Sequence, residues 1–474
     1  MLEKGVSLQD QQRFGEADSN DLQNKYNPDK IISDKKRNIK AAIDHICDSI
    51  TADGYVRAAT DYTWYKLMWF RDSSLISSAL SQAAATFLKL DDKDMLADSF
   101  KARDTALKII YKEWGILDTS KPKLASTVSM KLQDFEFKKL KNHIPARITS
   151  DGSLADMVLE DKRINDVAEA ENPNSWLKQF DSVPLVLYAT SEFIKGFGAE
   201  ALPNGLREKI EANLAILSDY IINVYKCPCA DAWEQNPHML HSYSVGTAYG
   251  GLLSALKISE ALGIKLDSEK INTELYGKNG IASFINEFFV KDGVLRKYRH
   301  EFGADVEEYP KVDASAYILF ALIDKNHDLI DIKTYMRTME ALRENHIFKS
   351  TDGTKVYESA MPKRYDGDRY FGGAGWILLA ALEASISINE GDTNRAKYVL
   401  GEIEKLVPKD GFRLPEQEPI DEVFLNPERE SENDSNGKKP AMDLIWSSAE
   451  YLRAATAELA YMQRSGQESS MLRG

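Results

Sequence analysis

The chain is short of the features that define several large protein classes. Only three of its 474 residues are cysteines, an odd number and too few for a disulfide framework. Cys227 and Cys229 flank a proline without a second Cys or His pair at ligand spacing, so they read as reduced thiols of a cytoplasmic protein. No apolar run is long enough to span a bilayer, and the polar start MLEKGVSLQDQQRFGEADSND has no apolar stretch to act as a signal or anchor. Positive charge is in deficit, 60 Lys+Arg against 74 Asp+Glu, for a net charge of -14. That balance speaks against a nucleic-acid or anionic-membrane partner and suits an uncharged ligand such as a sugar.

What the chain has is apolar residues at helical spacing, with a hydrophobic fraction of 43%, ample for a large core. Apolar periodicity, capping residues and Gly/Pro breaks predict about twelve helices. They fall near 35–50, 72–90, 94–114, 181–195, 206–225, 241–262, 267–289, 313–324, 332–344, 375–390, 394–406 and 442–463. The second is rich in Ser and Ala, small side chains that let neighbouring helices approach closely. Residues 1–34 read as a loosely ordered leader, 35–465 as a single helical domain and 466–474 as a tail. The long connection 115–178 carries β-like pieces near 125–130 and 146–149, and a connection of that length is expected to wall a pocket. Short strands are expected near 294–298 and 356–359, and the hydrophilic segment 426–439 reads as a surface loop. No fixed-length repeat indicates a solenoid.

Chemistry concentrates in stretches just ahead of helices. Asp231-Ala232-Trp233-Glu234-Gln235 sets a carboxylate beside an indole, where a withheld water shell keeps a glutamic acid protonated, and this makes Glu234 the candidate proton donor. Glu416, in Leu414-Pro415-Glu416-Gln417, is the second candidate carboxylate. Two carboxylates flanking a sugar are the basic equipment of a glycosidase. Trp69-Phe70-Arg71-Asp72 offers a flat apolar face, a rigid multi-donor and a hydroxyl acceptor, although Asp72 serves equally as a helix cap paired with Arg71. Trp176 with Asp181, and the run Arg364-Tyr365 to Gly375-Trp376, repeat the pattern, and there too caps and turn-shaping glycines are an alternative. Five of the seven tryptophans, Trp64, Trp69, Trp176, Trp233 and Trp376, stand in these stretches. His238 and His241 lie close to Glu234, but a pair at that spacing without a carboxylate cluster reads as polar packing, and no metal is expected.

Taken in order, the motifs resemble glycoside hydrolase family 15, the glucoamylase-like enzymes. They read Tyr65…Trp69-Phe70-Arg71-Asp72, Asp231-Ala232-Trp233-Glu234-Gln235, Arg364-Tyr365…Gly373-Ala374-Gly375-Trp376, Glu416-Gln417 and Asp443-Leu444-Ile445-Trp446-Ser447. Each is weak alone, but their shared order from Tyr65 to Tyr451 makes the set specific. The resemblance implies an all-α fold, an (α/α)6 barrel of six inner and six outer helices with the pocket at one end. It implies Glu234 as general acid and Glu416 as general base of an inverting hydrolysis. Arg71, Asp72 and Arg364 would hold the terminal glucose, and Tyr65, Trp176, Gln417 and Trp446 would lie at or near the pocket wall. Trp69, Trp233 and Gln235 complete the candidate sugar contacts.

The activity so implied is exo-acting release of glucose from α-linked oligosaccharides or polysaccharides, without a cofactor. Gln235 stands where many relatives have a second Glu, which puts α-1,4 preference in doubt and keeps α-1,6-glucosides and trehalose as alternatives. Ala374-Gly375-Trp376 lacks the usual Pro before Trp, and Asn236-Pro237-His238 departs from the usual glycine-bearing turn. The chain leaves no room for the β-sandwich domain found ahead of the barrel in many prokaryotic relatives, so short soluble oligosaccharides are expected over starch granules. A non-catalytic sugar-binding or regulatory barrel, of the kind found in the large subunits of phosphorylase kinase, is the reading from a different class. Holding both Glu234 and Glu416 weighs against it.

Overall fold

A helix whose residues are apolar or small on every side has no face to give to water and belongs inside a helical assembly. The segment Phe70–Lys89 is such a helix (α2), buried almost throughout. Its serines are made compatible with burial by bonding back to the preceding turn: Ser77 Oγ donates to the Ser74 carbonyl at 3.0 Å, Ser78 to Leu75 at 2.8 Å and Ser81 to Ser77 at 2.8 Å. The computed structural model describes residues 28–61, 67–129, 144, 146–149, 156–159, 162–165, 178–299, 312–323, 328–426 and 439–471.

The described helices are α1 Pro28–Asp48, α2, α3 Leu96–Thr119, α4 Lys121–Ser129, α5 Ser182–Phe197, α6 Asn204–Val224 and α7 Ser242–Leu262. They continue as α8 Ser268–Tyr276, α9 Ile281–Phe288, α10 Ser315–Leu322, α11 Ile332–Leu342, α12 Ile377–Glu390, α13 Thr393–Lys405 and α14 Ile445–Met471. Helices α2, α5, α7, α10, α12 and α14 each pack on the next, and α14 returns to α2, so six helices close a ring. An outer set leans on it: α1 on α14, α3 on α2 and α5, α6 and α9 on α7, and α13 on α12 and α14. This is the (α/α)6 barrel. Where α7 crosses its neighbours it does so on glycine: a Cβ at Gly251 would lie 2.6 Å from the Cα of Pro184 in α5.

The strands are short antiparallel pairs: β1 Met68–Trp69 with β2 Arg147–Ile148, β3 Asp156–Leu159 with β4 Lys162–Asn165, β5 Val290–Lys291 with β6 Val294–Leu295, and β7 Ile347–Lys349 with β8 Val356–Glu358. They pin connections rather than build a layer. All six inner helices begin at one end of the ring, where the candidate catalytic stretches lie. Their other ends surround a polar cavity of about 750 Å³ lined by Gln82, Tyr188, Ser254, Ser385 and Arg453, among others.

Three expectations need correction. The first helix starts at Pro28, inside the expected leader, because a proline suits a first helical turn and Asp29 adds favourable charge there. The β-like piece near 125–130 is helical up to Ser129: Leu124 and Thr127 are buried as α4 packs on α6, and this packing outweighs the β-branched local preference. The single helix expected over 267–289 is two, α8 and α9, broken where Gly277 and Gly280 press against the carbonyls of Thr273 and Glu274. By contrast the pieces near 146–149, 294–298 and 356–359 contain β2, β6 and β8.

Candidate active site

The loop Asp231 to Gln235 sits between α6 and α7 and turns sharply. Asp231 Oδ1 accepts the backbone N–H of Trp233 and of Gln235, both at 3.0 Å, so its carboxylate binds the amides on either side of Glu234. Glu234 takes a left-handed conformation, φ 63°, which an L-residue with a side chain seldom adopts unless its surroundings impose it. The turn swings its carboxyl into the ring's mouth. There Oε1 accepts the indole N–H of Trp69 at 2.6 Å and lies 3.5 Å from Arg71 Nη2. The apolar shelter expected from Trp233 is not the dominant contact, since the Trp233 indole turns away and donates to Asp313 Oδ1 at 2.8 Å. Two polar donors from β1 and α2 hold Glu234 instead.

Arg71 and Asp72 open α2, and both are buried. Arg71 donates from Nε to Asp72 at 3.1 Å and from Nη1 to Gln179 Oε1 at 3.0 Å, and its guanidinium lies 5.4 Å from the centre of the Trp446 ring. Burial pushes the Asp72 carboxyl up to about 6, Arg71 opposing it. Asp181, in the same basin, is also raised by burial and accepts the Tyr243 hydroxyl at 2.9 Å.

Glu416 joins the same lining from a remote part of the chain. Its segment is threaded between the starts of two inner helices: Glu416 N donates to the Ala441 carbonyl at 2.9 Å, and Ile377 N to the Glu416 carbonyl at 3.3 Å. The Glu416 carboxylate is buried, with the Tyr370 hydroxyl 3.3 Å from Oε2 and the Ala441 amide donating at 3.4 Å. Arg364 forms a two-pronged pair with Asp368, 2.8 and 2.7 Å, and its guanidinium faces the rings of Trp233, Tyr370 and Trp376 at 5.5, 4.8 and 5.0 Å. An arginine held flat among aromatics in this way keeps one direction for its remaining donors.

These groups share one cavity, lined by Ala58, Trp69, Arg71, Asp72, Ala232, Trp233, Glu234, Arg364, Tyr370, Trp376, Glu416, Leu444 and Trp446. Of the residues singled out in the sequence it brings together Glu234, Glu416, Trp69, Arg71, Asp72, Trp233, Arg364 and Trp446. Gln235 and Gln417 lie beside this lining: Gln235 Oε1 accepts the Tyr365 hydroxyl at 2.7 Å, and Gln417 Nε2 donates to the Tyr370 carbonyl at 3.3 Å. Tyr65 and Trp176 lie outside the described residues. His241 is fully buried, 3.7 Å from Asp231, with its ring on Tyr298.

Ala58, Leu444 and Tyr370 also line the cavity, although the sequence named Leu444 only within the Asp443-Leu444-Ile445-Trp446-Ser447 motif and gave Ala58 and Tyr370 no role. The first two reach the mouth through backbone pairing, the Ala59 and Leu444 bridge and the Ile445 N–H bonded to the Ala58 carbonyl at 3.0 Å, which leaves no trace in residue type. Tyr370 stood in a run rich in aromatics and glycines, and only the partnership with Glu416 sets it apart. Lys178 and Gln179, ahead of α5, carried a signal in their place before a helix, as at the other inner-helix starts.

No family model matches the chain. Over 245 residues it is 25% identical to an isomaltose glucohydrolase from Kribbella flavida, a match that covers 52% of this chain and 57% of that relative's length. Among solved structures, a glycosidase superposes with a TM-score of 0.66 at 21% identity, covering 91% of this chain and 98% of that one. The family 15 glucoamylase from Hypocrea jecorina superposes at 0.59 and 15% identity, covering 92% and 73%, and the Hormoconis resinae glucoamylase at 0.57 and 14%, covering 90% and 74%. In motif order and in its closed ring of six inner helices, the chain resembles the glucoamylase-like enzymes of glycoside hydrolase family 15.

Proposed function

We propose that the chain is an exo-acting, inverting glycoside hydrolase that releases glucose from the non-reducing ends of short α-gluco-oligosaccharides. The observation that carries the reading is the meeting of Glu234 and Glu416, from remote parts of the chain, in the lining of one cavity with Arg71, Asp72, Arg364 and four tryptophans. A binding module needs the arginines and rings but has no use for an acid and a base lining the same cavity.

In this reading Glu234 protonates the departing glycosidic oxygen, and Glu416 takes a proton from the water that attacks the anomeric carbon from the other face. The glycosidic bond breaks, the water oxygen bonds to the anomeric carbon with inversion, and the leaving sugar departs with the proton from Glu234. Trp69 and Arg71 hold the donor carboxyl, while the Tyr370 hydroxyl and the Ala441 amide hold the base. Asp72 and Arg364 offer a charged acceptor and donors to the hydroxyls of the terminal sugar, and Trp446 and Trp376 offer flat faces.

The name of the Kribbella relative places isomaltose on the substrate panel beside maltose, maltotriose and trehalose. The test is that panel with the parent and Glu234→Gln. Glucose release that falls by orders of magnitude in the variant, with sugar binding kept, supports the reading. Release at the parent's rate overturns the role of Glu234, and no release from any α-glucoside favours the non-catalytic barrel. Work in a reducing, cytoplasmic compartment fits three unpaired thiols, of which Cys229 is fully buried, its thiol pKa pushed up to about 11 by burial. Among the described residues no helix is long and apolar enough to cross a membrane.

A further inference from the structure

Behind the acid's loop lies an ion cluster outside the cavity lining. Lys297 is 2% exposed, and its Nζ lies 2.8 Å from Asp231 Oδ2 and 2.8 Å from Asp313 Oδ2. Burial alone would strip the ammonium of its proton, but the two carboxylates outweigh it and hold Lys297 well above the ordinary lysine value. The same contacts keep Asp231 below the usual carboxylate range against its own burial. The cation also faces the Tyr365 ring at 4.5 Å and the Tyr298 ring at 5.4 Å, and His241 completes the surroundings of Asp231.

Each aspartate gives its other oxygen to the catalytic loop. Asp231 Oδ1 holds the amides of Trp233 and Gln235, and Asp313 Oδ1 holds the Trp233 indole at 2.8 Å and the Ser315 amide at 2.8 Å. The backbone of Lys297 is anchored as well, since its carbonyl accepts the Ser242 N–H at 2.9 Å at the start of α7. One cation therefore ties together the start of α7, the start of α10 and both sides of a residue held at φ 63°. Such a conformation persists only when its neighbours over-determine it.

We propose that Lys297 is a positioning residue for the proton donor: clamped between Asp231 and Asp313, it fixes the left-handed turn that aims Glu234 at the glycosidic oxygen. The proposal rests on the reading of Glu234 as the acid. Without the ammonium, Asp231 Oδ2 and Asp313 Oδ2 lose the cation they share, the aspartates part, and the turn relaxes. The carboxyl then sits about 1 Å from its working place, enough to cost about 100-fold in rate.

The test compares Lys297→Met, Glu234→Gln and the double variant on maltose and isomaltose, and on α-glucosyl fluoride, whose leaving group needs little protonation. Lys297→Met is expected to lower kcat on the disaccharides about 100-fold with KM within about threefold, and to slow the fluoride less than about fivefold. In the Glu234→Gln background the same change is expected to cost nothing further, because Lys297 acts through a carboxyl already removed. Losses that multiply, or a fluoride rate that falls with the disaccharides, overturn the positioning role. A Glu234→Gln variant as fast as the parent overturns the acid assignment itself, so the two failures are told apart. Should Lys297→Met not fold, Asp313→Asn keeps an acceptor for Trp233 while it loosens the clamp. A loss of about tenfold in kcat, again sparing the fluoride, is expected. An unchanged kcat in folded Asp313→Asn overturns the proposal.

Discussion

The indole N–H of Trp69 meets the carboxylate of Glu234 at 2.6 Å, although 165 positions separate the two residues. Trp69 is itself fixed, since β1 pairs it with Arg147, whose guanidinium lies 5.4 Å from the indole ring. The Glu234 carboxyl is therefore aimed by a strand from a remote part of the chain. Trp69→Phe keeps the ring and removes the N–H. A net hydrogen bond is worth about 0.5–1.5 kcal/mol, so loss of the one that orients the Glu234 carboxyl should lower kcat roughly 2- to 12-fold with KM little changed. Steady-state kinetics on maltose and isomaltose read this out, and an unchanged kcat would show that the bond does not orient the acid.

Substrate affinity should weaken in acid through Asp72. Burial holds its carboxyl near 6, so it is charged at neutral pH and able to accept sugar hydroxyls, and it gains a proton as pH falls through that value. KM is expected to rise as pH drops below about 6, and Asp72→Asn should have a high KM with that dependence flattened. A parent KM constant between pH 5 and 7 would contradict the role.

Stability should fall as pH rises, because of Glu418. This half-buried carboxyl accepts the Ser359 hydroxyl at 2.5 Å, and burial raises it to about 7. Its folded value lies above the unfolded one near 4.3, so its contribution is fully present below the unfolded value and lost as pH climbs through 7. Glu418→Gln should raise Tm at pH 8 and leave it nearly unchanged at pH 4. An equal shift at both pH values would remove Glu418 as the cause.

The sequence was legible where one residue type has one physical use. Ser- and Ala-rich α2 could only be buried, and Trp-rich stretches ahead of helices did mark the mouth of the ring. It was illegible where function depends on partners chosen by the fold. Nothing in Val294-Leu295-Arg296-Lys297 distinguishes Lys297 from any surface lysine, and only closure of the ring brings Asp231 and Asp313 to it. Trp233 misled for the same reason, since its neighbour in sequence is Glu234 but its indole bonds Asp313. The error over 125–130 came from weighing local propensity without the α6 surface that α4 covers.

The ring itself depends on close approach of α7 to α5. At Gly251 a Cβ would lie 2.6 Å from backbone and ring atoms of Pro184, which cannot swing aside like a flexible side chain. Gly251→Val should cost about 1–3 kcal/mol or more, seen as a lower denaturant midpoint. A midpoint equal to the parent's would mean that the two helices have slack the structure does not display.

If Glu234 and Glu416, which line one cavity, drive a single displacement at the anomeric carbon, the configuration there inverts. Proton NMR of the first product formed from maltose or isomaltose tests it most directly. β-Glucose is expected to appear first and then to mutarotate. Fresh α-glucose as the first product would signal retention and contradict it.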